Sequence, residues 1–238
     1  MKIIIVLAVI LVVASARELT GRETCDDYEH NRKGLSCSRE HGHNEDCISA
    51  LRNHVKVELG AAITYLSMGA FFDQDKINRP GLAKFFKDSA SEERQHAHEL
   101  LAYLRMRGDI SDDYLPDTLY PATGDFDLVS STNDATSMKT ALHQALRMEK
   151  DVTNALKVVV AKCEVDSEDV DGIIKSDYQL ADYITADFLK EQVQGQRKIA
   201  GMINTLTHMT SLQTDENLRK NENLAAWLFD RKVANGEV

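Results

Sequence analysis

Four segments of this chain carry apolar residues at alternating steps of three and four, and each stripe is broken near its middle by a residue foreign to an apolar core. The first runs Ile48, Leu51, Val55, Glu58, Ala62, Tyr65, Gly69, Phe72, and the second Leu82, Phe86, Ser89, Glu93, His96, Leu100, Tyr103. The third is Met138, Leu142, Ala145, Glu149, Val152, Leu156, Val159, Cys163, and the fourth Thr185, Leu189, Gln192, Gln196, Ile199, Ile203, Leu206. Steps of three and four bring side chains back to one face of an α-helix, so each segment is predicted to be an amphipathic helix with that face buried. Only 12 Gly and 3 Pro occur in 238 residues, too few for the many turns of a sandwich or barrel. The expected fold is an all-α four-helix bundle.

The boundaries follow from punctuation. The first helix is predicted over about 45–73. Asn78-Arg79-Pro80 reads as a cap followed by an early-helix proline, and the second helix is expected to stop near Gly108. From Gly108 to about Thr136 the periodicity vanishes and Pro116, Pro121 and Gly124 appear, which suits a long crossover running the length of a bundle. Such a crossover makes the third helix parallel to the second. An acidic turn at Asp166 to Asp171 precedes the fourth helix, and a short fifth helix is expected near Leu224 to Lys232, docking through Trp227 and Phe229.

At the amino end, Met1-Lys2, the apolar run Ile3 to Val13 and Ala14-Ser15-Ala16 have the order of a secretory signal peptide. The expected organisation is a signal peptide over 1–16, a polar extension over 17–45 and a helical bundle domain over 46–234. Secretion, or residence in the lumen of the secretory route, follows from that reading. No membrane span is expected, because no other uncharged stretch approaches the roughly 20 residues needed. Lys+Arg 28 against Asp+Glu 38 gives a net charge of −10, which argues against a nucleic-acid partner and towards cations. Cys25, Cys37, Cys47 and Cys163 suit disulfides in an oxidising compartment and can pair in three ways.

The polar interruptions carry the chemistry. An unpaired buried carboxylate costs several kcal/mol, against a total stability of about 5–15 kcal/mol. Glu58, Glu93 and Glu149 must therefore be neutralised, and none of the four stripes contains a Lys or Arg to do it. A polyvalent cation is the economical solution, and oxygen donors with one imidazole suit iron, manganese or zinc. Glu93 and His96 are three residues apart, the spacing that puts both on one helical face. Tyr65 lies two turns from Glu58 on the same face, where its hydroxyl can support a ligating carboxylate. His41 and His43, in the polar extension, read as solvated.

The segments Glu58-Leu-Gly-Ala-Ala-Ile-Thr-Tyr65-Leu-Ser-Met68, Glu92-Glu93-Arg-Gln-His96, Met148-Glu149-Lys-Asp-Val152 and Glu191-Gln192-Val193 resemble the ferroxidase-type heavy subunit of the ferritin family. The resemblance spans about 48–232. Gly69-Ala-Phe-Phe72, Asn78-Arg-Pro-Gly81 and Met106-Arg-Gly108 resemble the secreted members of that family in insects and related arthropods. It implies that Glu58, Glu93 and His96 form one iron site, that Glu93 bridges to a second iron held by Glu149 with Gln192 nearby, and that Tyr65 is the site tyrosine. Two ferrous ions would be substrates for oxidation by dioxygen. The resemblance further implies a hollow 24-subunit shell around a ferric mineral, with a light-chain-like partner subunit possible in a hetero-oligomer.

Some positions depart from the family pattern. Glu92 matches a gateway carboxylate, but Gln95 and His98 stand where inner-surface acids are expected, so mineral nucleation would fall to a partner subunit. Asp182 matches one acid of the iron channel, whereas Thr185 replaces the other. Within the expected topology the start of the first helix and the end of the third share one end of the bundle, which predicts a Cys47–Cys163 disulfide. Two other readings compete: a non-catalytic, light-chain-like shell subunit, and a secreted signalling bundle that binds a receptor and no metal. The first is disfavoured by the intact set of Glu58, Glu93, His96 and Glu149, and the second leaves the buried acids unexplained.

Overall fold

The computed structural model describes residues 44–107, 134–165, 176–211 and 218–238. The expected signal peptide, the expected extension with Cys25, Cys37, His41 and His43, the expected crossover over 108–133 and the expected acidic turn lie outside the described residues. Within them every element is helical: α1 (Glu45–Phe72), α2 (Pro80–Arg107), α3 (Asp134–Cys163), a composite α4 and α5 (Leu218–Ala234). Helix α4 joins Tyr178–Tyr183 to Leu189–Ser211 through a π-helical segment, Ile184–Phe188.

Two apolar clusters give the topology. One contains Ile48, Leu51 and Val55 from the start of α1, Leu100 and Leu104 from the end of α2, Leu156 and Val159 from the end of α3, and Leu180 and Ile184 from the start of α4. The other unites the opposite ends: Met68 and Phe72, Leu82 and Phe86, Met138 and Leu142, Met202 and Leu206. Helices α2 and α3 are thus parallel, as a long crossover requires, and both are antiparallel partners of their remaining neighbours. Among the described residues α1 is long and apolar enough to cross a membrane, but its apolar stripe is buried in these two clusters.

The first three stripes are buried as predicted, with His96 partly exposed at the edge. The fourth differs. Thr185 is exposed, and the buried residues of α4 are Leu180, Ala181, Ile184, Phe188, Gln192, Ile199, Met202 and Leu206. A π turn holds an extra residue, so the buried face advances by steps of four from Leu180 to Gln192, and counting back at ordinary helical spacing lands one position off.

The cap of α2 also differs from expectation. Asn78 adopts a left-handed φ of 51°, and the cap of α2 comes from α5 instead. The Asp230 carboxylate accepts hydrogen bonds from the Gly81 and Leu82 backbone N–H groups at 3.1 and 2.8 Å, satisfying donors that a helix start leaves open. A Cβ at Gly81 would meet the Asp230 carbonyl oxygen at 2.1 Å, so this approach requires glycine. Helix α5 starts earlier than expected, and its two aromatics divide: Phe229 is buried, whereas Trp227 is 49% exposed beneath the Arg231 guanidinium.

One end of the bundle is cross-tied. Asn44 caps α1, accepting from the Asp46 and Cys47 N–H groups, and donates through Nδ2 to the Lys162 carbonyl of α3 at 2.9 Å. Cys47 and Cys163 form a disulfide, the predicted pairing. The Asp177 N–H donates to the Cys163 carbonyl at 2.8 Å, its side chain caps α4, and Arg107 at the end of α2 holds its carboxylate at 2.7 Å. The disulfide closes a sequence separation of 116. Replacing Cys163 by Ser should therefore lower stability by about 2–5 kcal/mol, read as a shifted denaturation midpoint under non-reducing conditions. The same substitution should abolish the Cys47–Cys163 peptide pair in non-reducing mass mapping.

Candidate metal centre

The middle of the bundle, between the two apolar clusters, is where the four stripes bring their polar members together. Glu58 of α1 is fully buried, Glu93 of α2 is 4% exposed, Glu149 of α3 7% and Gln192 of α4 4%. Helix α2 supplies His96 one turn after Glu93. Ligand atoms of Glu58, Glu93 and His96 all lie within 4.8 Å of one another. The His96 Nδ1 is 3.4 Å from Glu93 Oε2 and 4.0 Å from Glu58 Oε2. Glu58 Oε2 is buried and has no hydrogen-bond partner. An orphaned carboxylate oxygen facing an imidazole nitrogen and a second carboxylate is a donor set suited to a divalent cation.

Glu149 stands beside this trio, bound by Tyr65. The Tyr65 hydroxyl donates to Glu149 Oε1, so the tyrosine expected near the first carboxylate reaches across to α3. Gln192 faces Glu149, and its Oε1 lies 3.0 Å from the Thr153 hydroxyl. That hydroxyl also approaches the Glu149 carbonyl at 2.8 Å and accepts from Gln196 Nε2 at 2.7 Å. All six residues singled out in the sequence therefore meet in one region, in two linked groups: Glu58, Glu93 and His96, then Glu149, Tyr65 and Gln192.

Four neighbours are not among the site residues the sequence singles out. His54, one turn before Glu58, places Nε2 2.7 Å from Glu58 Oε1, and both side chains are essentially inaccessible. The i,i+4 spacing of His54 and Glu58 was visible in the sequence, but His54 falls outside the three-four stripe. Glu191 Oε2 lies 3.4 Å from His96 Nε2, so the imidazole has carboxylates on both edges. Thr153 and Gln196 hold the Gln192 end. By contrast Gln95 pairs with Glu99 at 2.9 Å on an exposed surface, and His98, Asp182 and Thr185 are exposed away from the cluster.

Electrostatics follow from this crowding. Burial first, and then the neighbouring carboxylates, push Glu93 up to about 8 and Glu149 to about 7; Glu58 is raised by its burial, against the lowering effect of Glu93 and His96. Burial alone would lower His96, but the hydrogen bond to Glu93 and the charges of Glu93, Glu58 and Glu191 raise it to about 9. Burial lowers His54 to about 4. Burial and the Glu149 charge hold the Tyr65 phenol well above its ordinary range. The charges acting on Glu58, Glu93 and Glu149 are chiefly those of one another and of His96.

The ferritin-like domain family matches residues 48–209. The chain belongs to the ferritin family. It is 38% identical over 198 residues to a ferritin heavy chain of Trichoplusia ni, covering 81% of each chain. It is also 38% identical to a ferritin heavy chain of Papilio xuthus, covering 82% of each. The crystal structure of Trichoplusia ni secreted ferritin superposes with a TM-score of 0.65 at 36% identity, covering 80% of this chain and 88% of that one. The ferritin-like bundle is thus common to sequence and structure, and the buried polar cluster sits where its four helices converge.

The raised pKa values make a pH prediction for chelator-treated protein. Glu93 and Glu149 lose their protons near 4.5 when unfolded but near 8 and 7 when folded, and His96 moves from 6.5 to about 9. The folded state holds these protons more tightly, so their contribution to stability is lost as pH rises through the folded values. His54 acts oppositely, but only below about 6.5. The melting temperature should therefore fall steadily between about pH 6.5 and 9. A bound divalent cation replaces the protons and should flatten that fall.

Proposed function

We propose that the chain is the catalytic, heavy-type subunit of a secreted ferritin, oxidising ferrous iron at a di-iron site within its own bundle and delivering it to a mineral core. The observation that carries this reading is the convergence of Glu58 Oε2, Glu93 and His96 Nδ1 in a buried core. Iron enters as substrate. Glu58, Glu93 and His96 hold one ferrous ion. Glu93 bridges to a second, held by Glu149, with Gln192 able to turn its amide oxygen inward. Each ion gives up one electron, and dioxygen takes the pair.

The protein's own groups set the terms of that chemistry. Binding iron displaces the protons that Glu93, Glu149 and His96 hold, so occupancy rises with pH across the window in which they titrate. The Glu191 carboxylate, 3.4 Å from His96 Nε2, favours a proton on that nitrogen and so the tautomer that offers Nδ1. Tyr65 holds Glu149 in place through its phenol. The second position has carboxylate and amide donors but no imidazole, and weaker ligation there lets the oxidised ion leave. Burial excludes water from the electron-transfer step without removing the carboxylates that a ferric ion favours.

The remaining parts of the reading concern assembly. Residues 1–16 direct the chain into the secretory route, 17–45 form the extension, and 46–234 form the bundle. The bundle assembles into a 24-subunit shell, with a light-chain-like partner supplying the nucleating acids that Gln95 and His98 replace. An apolar groove of about 260 Å³ between α1 and α2, lined by Leu59, Ile63 and Leu66, supports burial against another subunit. Ile63 and Leu66 are 44% and 56% exposed in the single chain.

Aerobic ferrous oxidation by the full chain tests the site. Glu93→Ala and His96→Gly should each slow the rapid phase by at least about tenfold with helicity unchanged. Rates equal to wild type in both variants would remove the site from this role. Particle mass by light scattering, with and without a light-type partner, separates a shell from a monomer.

A further inference from the structure

The contact between His54 and Glu58 is the one strong interaction of the cluster that the reading above leaves without a role. Both side chains are essentially inaccessible, His54 Nε2 is 2.7 Å from Glu58 Oε1, and neither Glu58 Oε2 nor His54 Nδ1 has a hydrogen-bond partner. A carboxylate has two oxygens. Here one is occupied by a neighbour on the same helix and the other faces Glu93 and His96, the two groups with which it would share a cation. A neutral imidazole has a single N–H, and an ionised Glu58 can only accept, so the proton of His54 belongs on Nε2. Nδ1 is then a bare acceptor, which costs less to bury unpaired than an N–H would.

We propose that His54 is a positioning residue: its Nε2–H holds Glu58 Oε1 so that Oε2 alone is presented to the metal. The inference rests on the reading of Glu58 as a ligand. Two physical features make the arrangement effective. The pair is spaced i,i+4 on α1, so the helix itself fixes the distance, and the donor needs no loop to bring it in. Held at one oxygen, Glu58 cannot swing to chelate a single ion through both. It keeps a monodentate geometry that leaves coordination positions open for a substrate ion that must arrive and leave.

His54 also stands at a boundary. It lines a groove of about 470 Å³ between α1 and α3, bordered by Asn53, Val57, Ala155 and Val158. The imidazole therefore separates Glu58 from that groove. Without it, water reaching Glu58 through the groove could bond both carboxylate oxygens and compete with the cation.

The test is zinc(II) titration of the assembled, full-length protein by calorimetry, with Glu58→Gln defining the part of the binding that depends on that carboxylate. His54→Leu fills similar volume with no donor and should weaken the Glu58-dependent step by about 10–100-fold. His54→Gln, which keeps an N–H donor, should stay within about threefold of wild type. A folded His54→Leu protein with wild-type zinc affinity, or a Gln variant as weak as Leu, overturns the proposal. Should the Leu variant fail to assemble, His54→Met takes its place. If neither donorless variant folds while Gln does, His54 serves the bundle and not the metal, and the proposal fails too. If Glu58→Gln itself leaves zinc binding unchanged, the fault lies with the site assignment, not with His54.

Discussion

Three carboxylates buried within reach of one another are the constraint on which the rest of this bundle depends. Burial penalises their charge, and mutual repulsion adds to the penalty, which is why all three hold protons more tightly than free glutamates. Filling these positions with leucine would give a more ordinary core. The cluster persists in a fold that can spare only about 5–15 kcal/mol, so it must be placed where a cation can repay the cost and where the surrounding scaffold does not yield. The two apolar clusters on either side of the site supply that scaffold, one towards each end of the helices.

The cross-ties at one end of the bundle serve the same purpose. The polar cluster draws on all four bundle helices, with Glu93 and His96 together on α2, so its geometry is only as good as the axial register of those helices. The disulfide joins α1 to α3, the Asn44 side chain repeats that connection, and Arg107 with Asp177 joins α2 to α4. From that end a line of ring contacts leads back to the site. Tyr103 stacks on Tyr183 at 4.7 Å, Tyr183 meets Phe188 edge-on, and Phe188 meets His96 at 5.6 Å. A helix that slid by one turn, about 5.4 Å, would break every one of these ties in which it takes part. Register is thus held by strong, directional contacts remote from the groups whose spacing matters.

Much of this was legible in the sequence because the helices are regular. Glu58, Glu93, His96 and Glu149 could be placed together since the three-four spacing of their stripes is unbroken from end to end. What could not be read has specific physical causes. Thr185 was assigned to the buried face because a π turn adds a residue that periodicity does not announce. Asn78 was taken for a cap because it precedes a proline, whereas Asp230 arrives from a helix about 150 residues away, and no local pattern encodes that. His54 was passed over because it lies beside the stripe, not on it. Its burial depends on α3 closing over that flank of α1. The ferritin resemblance points to the candidate ligands but gives no account of what holds them.

The π segment completes the argument about placement. It ends at Phe188, immediately before the turn of α4 that carries Glu191 and Gln192. Each residue of an α-helix advances the side chain by about 100°, so deleting the extra residue would rotate the upstream part of α4 relative to its downstream part by that angle. Leu180, Ile184 and Phe188 could not then remain buried while Gln192 faces Glu149. The energetic cost of a poorer hydrogen-bond pattern over one turn is accepted because two demands meet there. The upstream face must fill the apolar end of the bundle and set a ring against His96. The downstream face must deliver an amide and a carboxylate to the polar centre. A regular helix of the same sequence could satisfy either demand, but not both.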